Sequence, residues 1–187
     1  MAALGVWARA VLASEEASLL TAALGQLYVI ACGIFAATLL TGDAISELHE
    51  ATPAGFRAAQ LARLVLIAVA TALGGVLLCV PLSWDGGWPS GAELATLLAG
   101  QIGAAFFACL VAFCVAASSG SAQAAVLAAL SAWFFLTILW DPNAGADLAL
   151  MRGVPLAGAL LAAAWATHRL GNAERTVEIA LRAEAER

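Results

Sequence analysis

Apolar residues run along nearly the whole chain, broken only by short polar stretches, and the lengths of the runs predict helices that cross a bilayer. About 20 mostly apolar residues rising about 1.5 Å each cover about 30 Å of hydrocarbon. Five segments meet that length, approximately Leu19 to Leu40, Ala59 to Leu82, Leu94 to Ala117, Ala122 to Trp140 and Val154 to Leu170. The second is interrupted only by Thr71 and the Gly74-Gly75 pair, and it reaches Pro81, where a helix is expected to stop or bend. Between the third and fourth stands only SSGS at 118–121, a turn short enough to make those helices antiparallel neighbours. Ahead of the first, residues 3–14 place Leu4, Trp7, Val11 and Leu12 at helical spacing with Arg9 opposite, a pattern too short and too charged to span. It reads as a helix lying in the interface. With no strand pattern and no internal repeat, the expected fold is an all-α polytopic transmembrane bundle in one domain over 1–187. Within it, 1–17 is the interfacial helix, 19–170 the five-helix membrane bundle and 171–187 a tail.

Composition agrees with the pattern. The chain is 63% hydrophobic and 11% charged, where a soluble domain carries about 25% charged residues. The net charge of −5 and the scattered basic residues give no nucleic-acid footprint. All eight basic residues are arginine. Without lysine there is no phosphate-binding loop of the GxxxxGK[ST] type, no Schiff base and no lysine general base, so any nucleotide must be bound by another chain. Cys32, Cys79, Cys109 and Cys114 lie in apolar runs with no CxxC spacing, and read as small packing residues. The first residues, MAALGVWARAVLASEEASLL, put their apolar part before Glu15 and Glu16 instead of before a cleavage site, so this segment is expected to be retained.

Arginine placement predicts orientation, because short positive loops stay cytoplasmic. With the 42–58 loop inside, Arg57, Arg63, Arg169, Arg175, Arg182 and Arg187 are cytoplasmic, and Arg9 and Arg152 are outside. The loops then placed outside, 82–91 and 140–150, hold no arginine, and Trp84, Trp88 and Trp140 suit an aromatic belt. The N-terminus is thus expected outside and the C-terminus in the cytoplasm. The tail, NAERTVEIALRAEAER, with Glu178 and Arg182 at i,i+4, reads as a short cytoplasmic extension of the last helix.

The most polar stretch between spans is ISELHEATPAGFRAAQLARL at 45–64. Ser46 can cap a short helix whose first turn holds Glu47 and Glu50, favourably near the positive helix end. Pro53 disfavours helix at Thr52, and Gly55 loosens the chain before a new helix starts near Phe56. The segment is longer and more structured than a linker needs to be, which points to a contact with a partner. It resembles the cytoplasmic pattern of ABC-2-type transporter permeases, E-L-L-x-A-T-P-x-S-x-x-x-x-L-x-A-R-L. Glu47, Leu48, Ala51, Thr52, Pro53, Ala62, Arg63 and Leu64 stand in its places, with Leu61 one position past the pattern's isolated leucine. The span order that follows is similar too, over roughly residues 19 to 172.

That resemblance implies that Glu47, Leu48, His49, Glu50, Thr52, Pro53 and Arg57 form a coupling segment docking on a separately encoded ABC ATPase subunit. It implies ATP and Mg on that subunit and no cofactor bound by this chain. A second permease copy or a longer paired permease, together with membrane lipid, would complete the surroundings, in a bacterial-type plasma (inner) membrane. The chain departs from the family in having five expected spans where six are usual, in Gly55 where serine is frequent, and in the charge of Glu50. The implied function is the permease subunit of an ATP-driven exporter. The alternative is a non-transporting assembly or anchor subunit that recruits a cytoplasmic partner.

Other chemistry is sparse. His49 and His168 fall at one side of the membrane, too few for a metal site. Asp85, Glu93, Asp141 and Asp147 are expected at outer edges or loops, where charge is cheap, and no ionisable group stands near the middle of a span, as an ion-coupled carrier would need. No nucleophile, base and metal set suggests an enzyme. The polar residues within spans are Gln26, Tyr28, Thr38, Thr71, Gln101, Ser131 and Thr137; any of them could line a substrate path or bond to a neighbouring helix, and Gln26, Tyr28, Gln101 and Thr137 are the candidates for the path.

Overall fold

The computed structural model describes residues 14–41, 56–82, 91–144 and 147–185. Five long helices carry them: α1 (Ser14–Thr41), α2 (Phe56–Leu82), α3 (Gly91–Ser119), α4 (Ala122–Phe134) and α5 (Val154–Ala185). Between α4 and α5 lie two π-helical segments, Phe135–Trp140 and Ala149–Gly153, and a single turn, Asp141–Ala144. No strand occurs among the described residues. Five stretches are long and apolar enough to cross a membrane: Leu19–Thr41, Ala58–Val80, Leu94–Ser119, Ala122–Ala144 and Ala149–Arg169. The protein is therefore an all-α, multi-pass membrane bundle, as its hydrophobic pattern predicts.

Helix α3 is the centre. Half of its span is buried, against 22–28% in the other four, and every other helix packs on it. The reason is its small-residue face: Ala104, Ala105, Ala108, Ala112 and Ala116 are all buried, which lets neighbouring backbones approach closely. Phe113 and Ile67 fill the space that remains. Large aliphatic side chains point the other way, with Leu66 and Leu77 of α2 and Leu161 of α5 about 70% exposed (68%, 70% and 73%). Small inside and large outside is the arrangement expected where lipid, not water, covers the surface.

The α3–α4 connection is the tight turn read from SSGS. Gly120 takes the left-handed conformation (φ 63°) and its N–H bonds to the Ala116 carbonyl at 2.9 Å, closing α3. Ser121 then caps α4 through its hydroxyl, which accepts from the Ala124 N–H at 3.4 Å. This turn, the end of α1 and the start of α2 share one end of the bundle, here the turn end. The α4–α5 connection lies at the opposite end.

Helix α5 continues to Ala185, as the reading of the tail as an extension of the last helix expects. Two boundaries differ from the hydrophobic pattern. Helix α1 begins at Ser14, several residues before the apolar run. The second difference is a correction. Residues 140–150 are not an open outer loop: helical structure continues through Trp140 to Ala144 and resumes at Leu148, so only three residues separate the two helical stretches. The expected interfacial helix over 3–14 lies outside the described residues except for its last position.

Candidate functional site

The two ends of the bundle hold different chemistry. At the turn end, α1 and α2 frame the 42–55 segment. Gln60 is buried near the start of α2 and its Nε2 donates to the Leu40 carbonyl at 3.4 Å, tying the two helix ends that flank that segment. Thr41 Oγ1 turns back to the Ala37 carbonyl at 2.7 Å. Glu47, Leu48, His49, Glu50, Thr52 and Pro53 of the expected coupling segment lie outside the described residues, and Arg57 is described only as part of the first turn of α2. On α5, the Arg169 guanidinium carbon stands 4.1 Å from the Trp165 ring centroid, a cation–π pair one helical turn apart. His168 is exposed beside it.

Toward the opposite end, polar side chains join the helices in pairs. Gln26 of α1 accepts from the Trp133 indole N–H of α4 at 2.7 Å. Tyr28 of α1 donates its hydroxyl hydrogen to the Thr71 carbonyl of α2, and its ring edge lies against Gly74, where an added Cβ would come within 3.3 Å of it. The Gln101 amide of α3 covers Gly25 of α1, where a Cβ would meet its Nε2 at 2.8 Å. Thr137 Oγ1 donates to the Trp133 carbonyl of its own helix at 2.9 Å. The four candidate path residues thus share one half of the bundle but belong to separate contacts: Gln26 to the α1–α4 seam, Tyr28 to α1–α2, Gln101 to α1–α3, and Thr137 to its own chain turn.

Arg152 and Asp141 require a second correction. Neither is a loop charge dissolved in water: their side chains are 13% and 22% exposed, and they form a two-point ion pair, with Nη1 on Oδ1 and Nη2 on Oδ2, the latter at 2.8 Å. The Arg152 Nε also donates to the Gly100 carbonyl of α3 at 2.8 Å. The methylene stem lies across Gly103, where an added Cβ would come within 3.3 Å of Cβ, Cγ and Cδ of Arg152. Gly100 and Gly103, one helical turn apart, therefore make a seat for one arginine. A charge this close to hydrocarbon is tolerable because carboxylate and carbonyl satisfy its donors. Gly103 on one span, with a single arginine and a nearby aspartate at the ends of the next spans, is the signal in the sequence that could have located it; at Gly100 only the backbone carbonyl is used. Asp141 and Arg152 look like ordinary loop charges only when 140–150 is taken as a loop.

An apolar groove of about 380 Å³ opens between α2, α3 and α5, with Leu64, Ile67, Phe106, Cys109, Leu156 and Leu160 among its walls. It contains no polar lining and so offers shape without orientation. Phe107 and Phe135 meet elsewhere, ring centroids 6.3 Å apart, where the π-helical segment packs on α3. Among the described residues no three His, Cys, Asp or Glu side chains converge on a point. No family model matches the chain, and comparison with curated proteins and with solved structures gives no match either.

Proposed function

We propose that the chain is the membrane-spanning permease subunit of an ATP-driven, ABC-2-type export complex. The observation that carries this reading is the run from Glu47 to Leu64, ELHEATPAGFRAAQLARL, with its acidic first turn, Thr-Pro break and LARL ending at the start of a span. The bundle adds a physical route for coupling. A cytoplasmic ATPase pressing on the 45–57 segment would push on the ends of α1 and α2, which Gln60 ties together. Displacement of α2 would pass to α1 through Tyr28 and Thr71, and to α3 through the tight approach of Gly75 to Ile102. In this reading ATP and Mg stay on the partner, the 42–55 end faces the cytoplasm of a bacterial-type plasma membrane, and a second permease copy completes the path for an amphiphilic cargo.

A second reading, an assembly or anchor subunit without transport, is favoured by one observation. Gln26, Tyr28 and Thr137, three of the four polar groups put forward for a path, are already used in bonds between or within helices. Purification of the tagged protein in mild detergent separates the two. Under the transporter reading an ATPase subunit copurifies and is lost when Glu47→Arg and Glu50→Arg are combined. Absence of an ATPase, or its unchanged retention by the double variant, moves the conclusion to the anchor.

A further inference from the structure

Residues 147–153, the stretch leading into α5, are fastened to the bundle by very little. None of their side chains is buried, and five of the seven residues are π-helical. With so little of its surface buried against the protein, the segment is held to the bundle by specific bonds whose loss lets it move locally, and π-helical turns mark places where a helix departs from its regular ladder. The bonds present are few and polar. Trp140 Nε1 donates to the Leu150 carbonyl at 3.2 Å. Arg152 reaches Asp141 on one side and the Gly100 carbonyl on the other, with its stem in the Gly103 notch. The preceding π-helical segment differs: Leu136 is 1% exposed and sits in the core with Val29, Ala105 and Ala108. One flank of the connection is anchored by burial, while the other is held by an arginine.

We propose that residues 147–153 form a strap that opens as a unit, and that Arg152, seated on Gly100 and Gly103 and clamped by Asp141, is its latch. Opening lifts the arginine from the Gly100 carbonyl and uncovers the notch at Gly103 on α3. Leu136 and the alanine core keep the five helices assembled while the strap is open. The strap is a property of the bundle itself and holds for a transporter and an anchor alike.

The geometry supplies its own test. A Cβ at Gly103 lies 3.3 Å from the Arg152 Cβ, near the ~3.5–4.5 Å that a disulfide requires. Gly103→Cys with Arg152→Cys, in a background where the four native cysteines are alanine, gives a strap that is locked when oxidised and unlatched when reduced. The readout is amide hydrogen exchange by mass spectrometry on the full chain in lipid nanodiscs. In the wild type, peptides covering 147–153 exchange faster than those covering 104–113 of α3. Asp141→Asn speeds exchange of the strap roughly tenfold or more, the loss expected for one charge-assisted bond, and leaves α3 unchanged. The oxidised double-cysteine protein protects the strap at least as well as the wild type, and reduction returns it to the rate of Asp141→Asn. The proposal is overturned if reduction and Asp141→Asn leave strap exchange unchanged. Equal acceleration across all five spans overturns it as well, since the ion pair would then be a staple of the whole bundle.

Discussion

Gly33→Ala is the smallest change that should strain this bundle. Gly33 is buried where α1 meets α3 and α4, and a Cβ there would stand 2.9 Å from the Ala129 Cβ and 3.4 Å from the Ala108 Cβ. Carbon atoms rest at about 3.5–4.0 Å, so α1 and α4 must part by about 0.6–1 Å. Neither alanine has a rotamer through which to retreat, and the displacement falls on two backbones. Overpacking of this kind costs about 1–3 kcal/mol, against which alanine gains about 0.5–1 kcal/mol over glycine in a helix interior. The net loss, about 0.5–2 kcal/mol, corresponds to a fall in Tm of roughly 1–8 °C for a chain of this length. Gly158→Ala is the internal control, because nothing lies within 4 Å of its Cβ. It should leave Tm unchanged or raise it. Thermal unfolding of both variants in one detergent, followed by circular dichroism, gives the comparison. If Gly33→Ala is as stable as Gly158→Ala, the close approach of α1 to α4 is refuted.

Tyr28→Phe removes the bond to the Thr71 carbonyl, and since interhelical hydrogen bonds in membranes average about 0.6 kcal/mol, Tm should fall by only about 1–2 °C; a loss several times larger would mean that the hydroxyl has another partner. Gln26→Leu strands the Trp133 indole N–H among apolar neighbours, costing about 1–3 kcal/mol, and should shift tryptophan emission to shorter wavelength; unchanged emission and Tm would disprove the α1–α4 bond. Single cysteines at Ser118 and at Arg187, in the cysteine-free background, should be labelled by an impermeant maleimide from the same face, with Ser90→Cys labelled from the other; any other pairing contradicts the order of the five spans.

How much of this was legible in the sequence depends on which force sets each feature. The spans were legible because burial in lipid needs only length and apolarity, both properties of a single segment. The α3–α4 turn was legible because Gly120 and Ser121 do their work locally, one through a left-handed backbone and the other as a cap. The seat of Arg152 was not, because it joins Gly100, Gly103, Asp141 and Arg152 across three stretches of chain, and no one of them is unusual alone. The pairing of Gln26 with Trp133, 107 residues apart, was hidden for the same reason: a polar residue in a span announces that it needs a partner but not which one. The helical continuation over 140–144 and its resumption at Leu148 are not legible because the Asp, Pro, Asn and Gly composition there favours turns, and the contact of Phe135, Leu136 and Trp140 with the bundle overrides it.

Helix α5 has a mechanical consequence. Its 32 residues at about 1.5 Å each make a rod of about 48 Å, roughly 18 Å longer than the hydrocarbon layer it crosses. The excess stands clear of the bilayer on the side of Arg169, while the opposite tip is joined to residues 147–153. A change of tilt of about 10°, well inside the range found among membrane helices, sweeps the far tip through about 8 Å. Because Ala159, Ala163 and Ala166 of α5 are buried in the core, such a tilt must slide the α3–α5 contact, so motion of the far tip reports on the packing at the centre of the bundle.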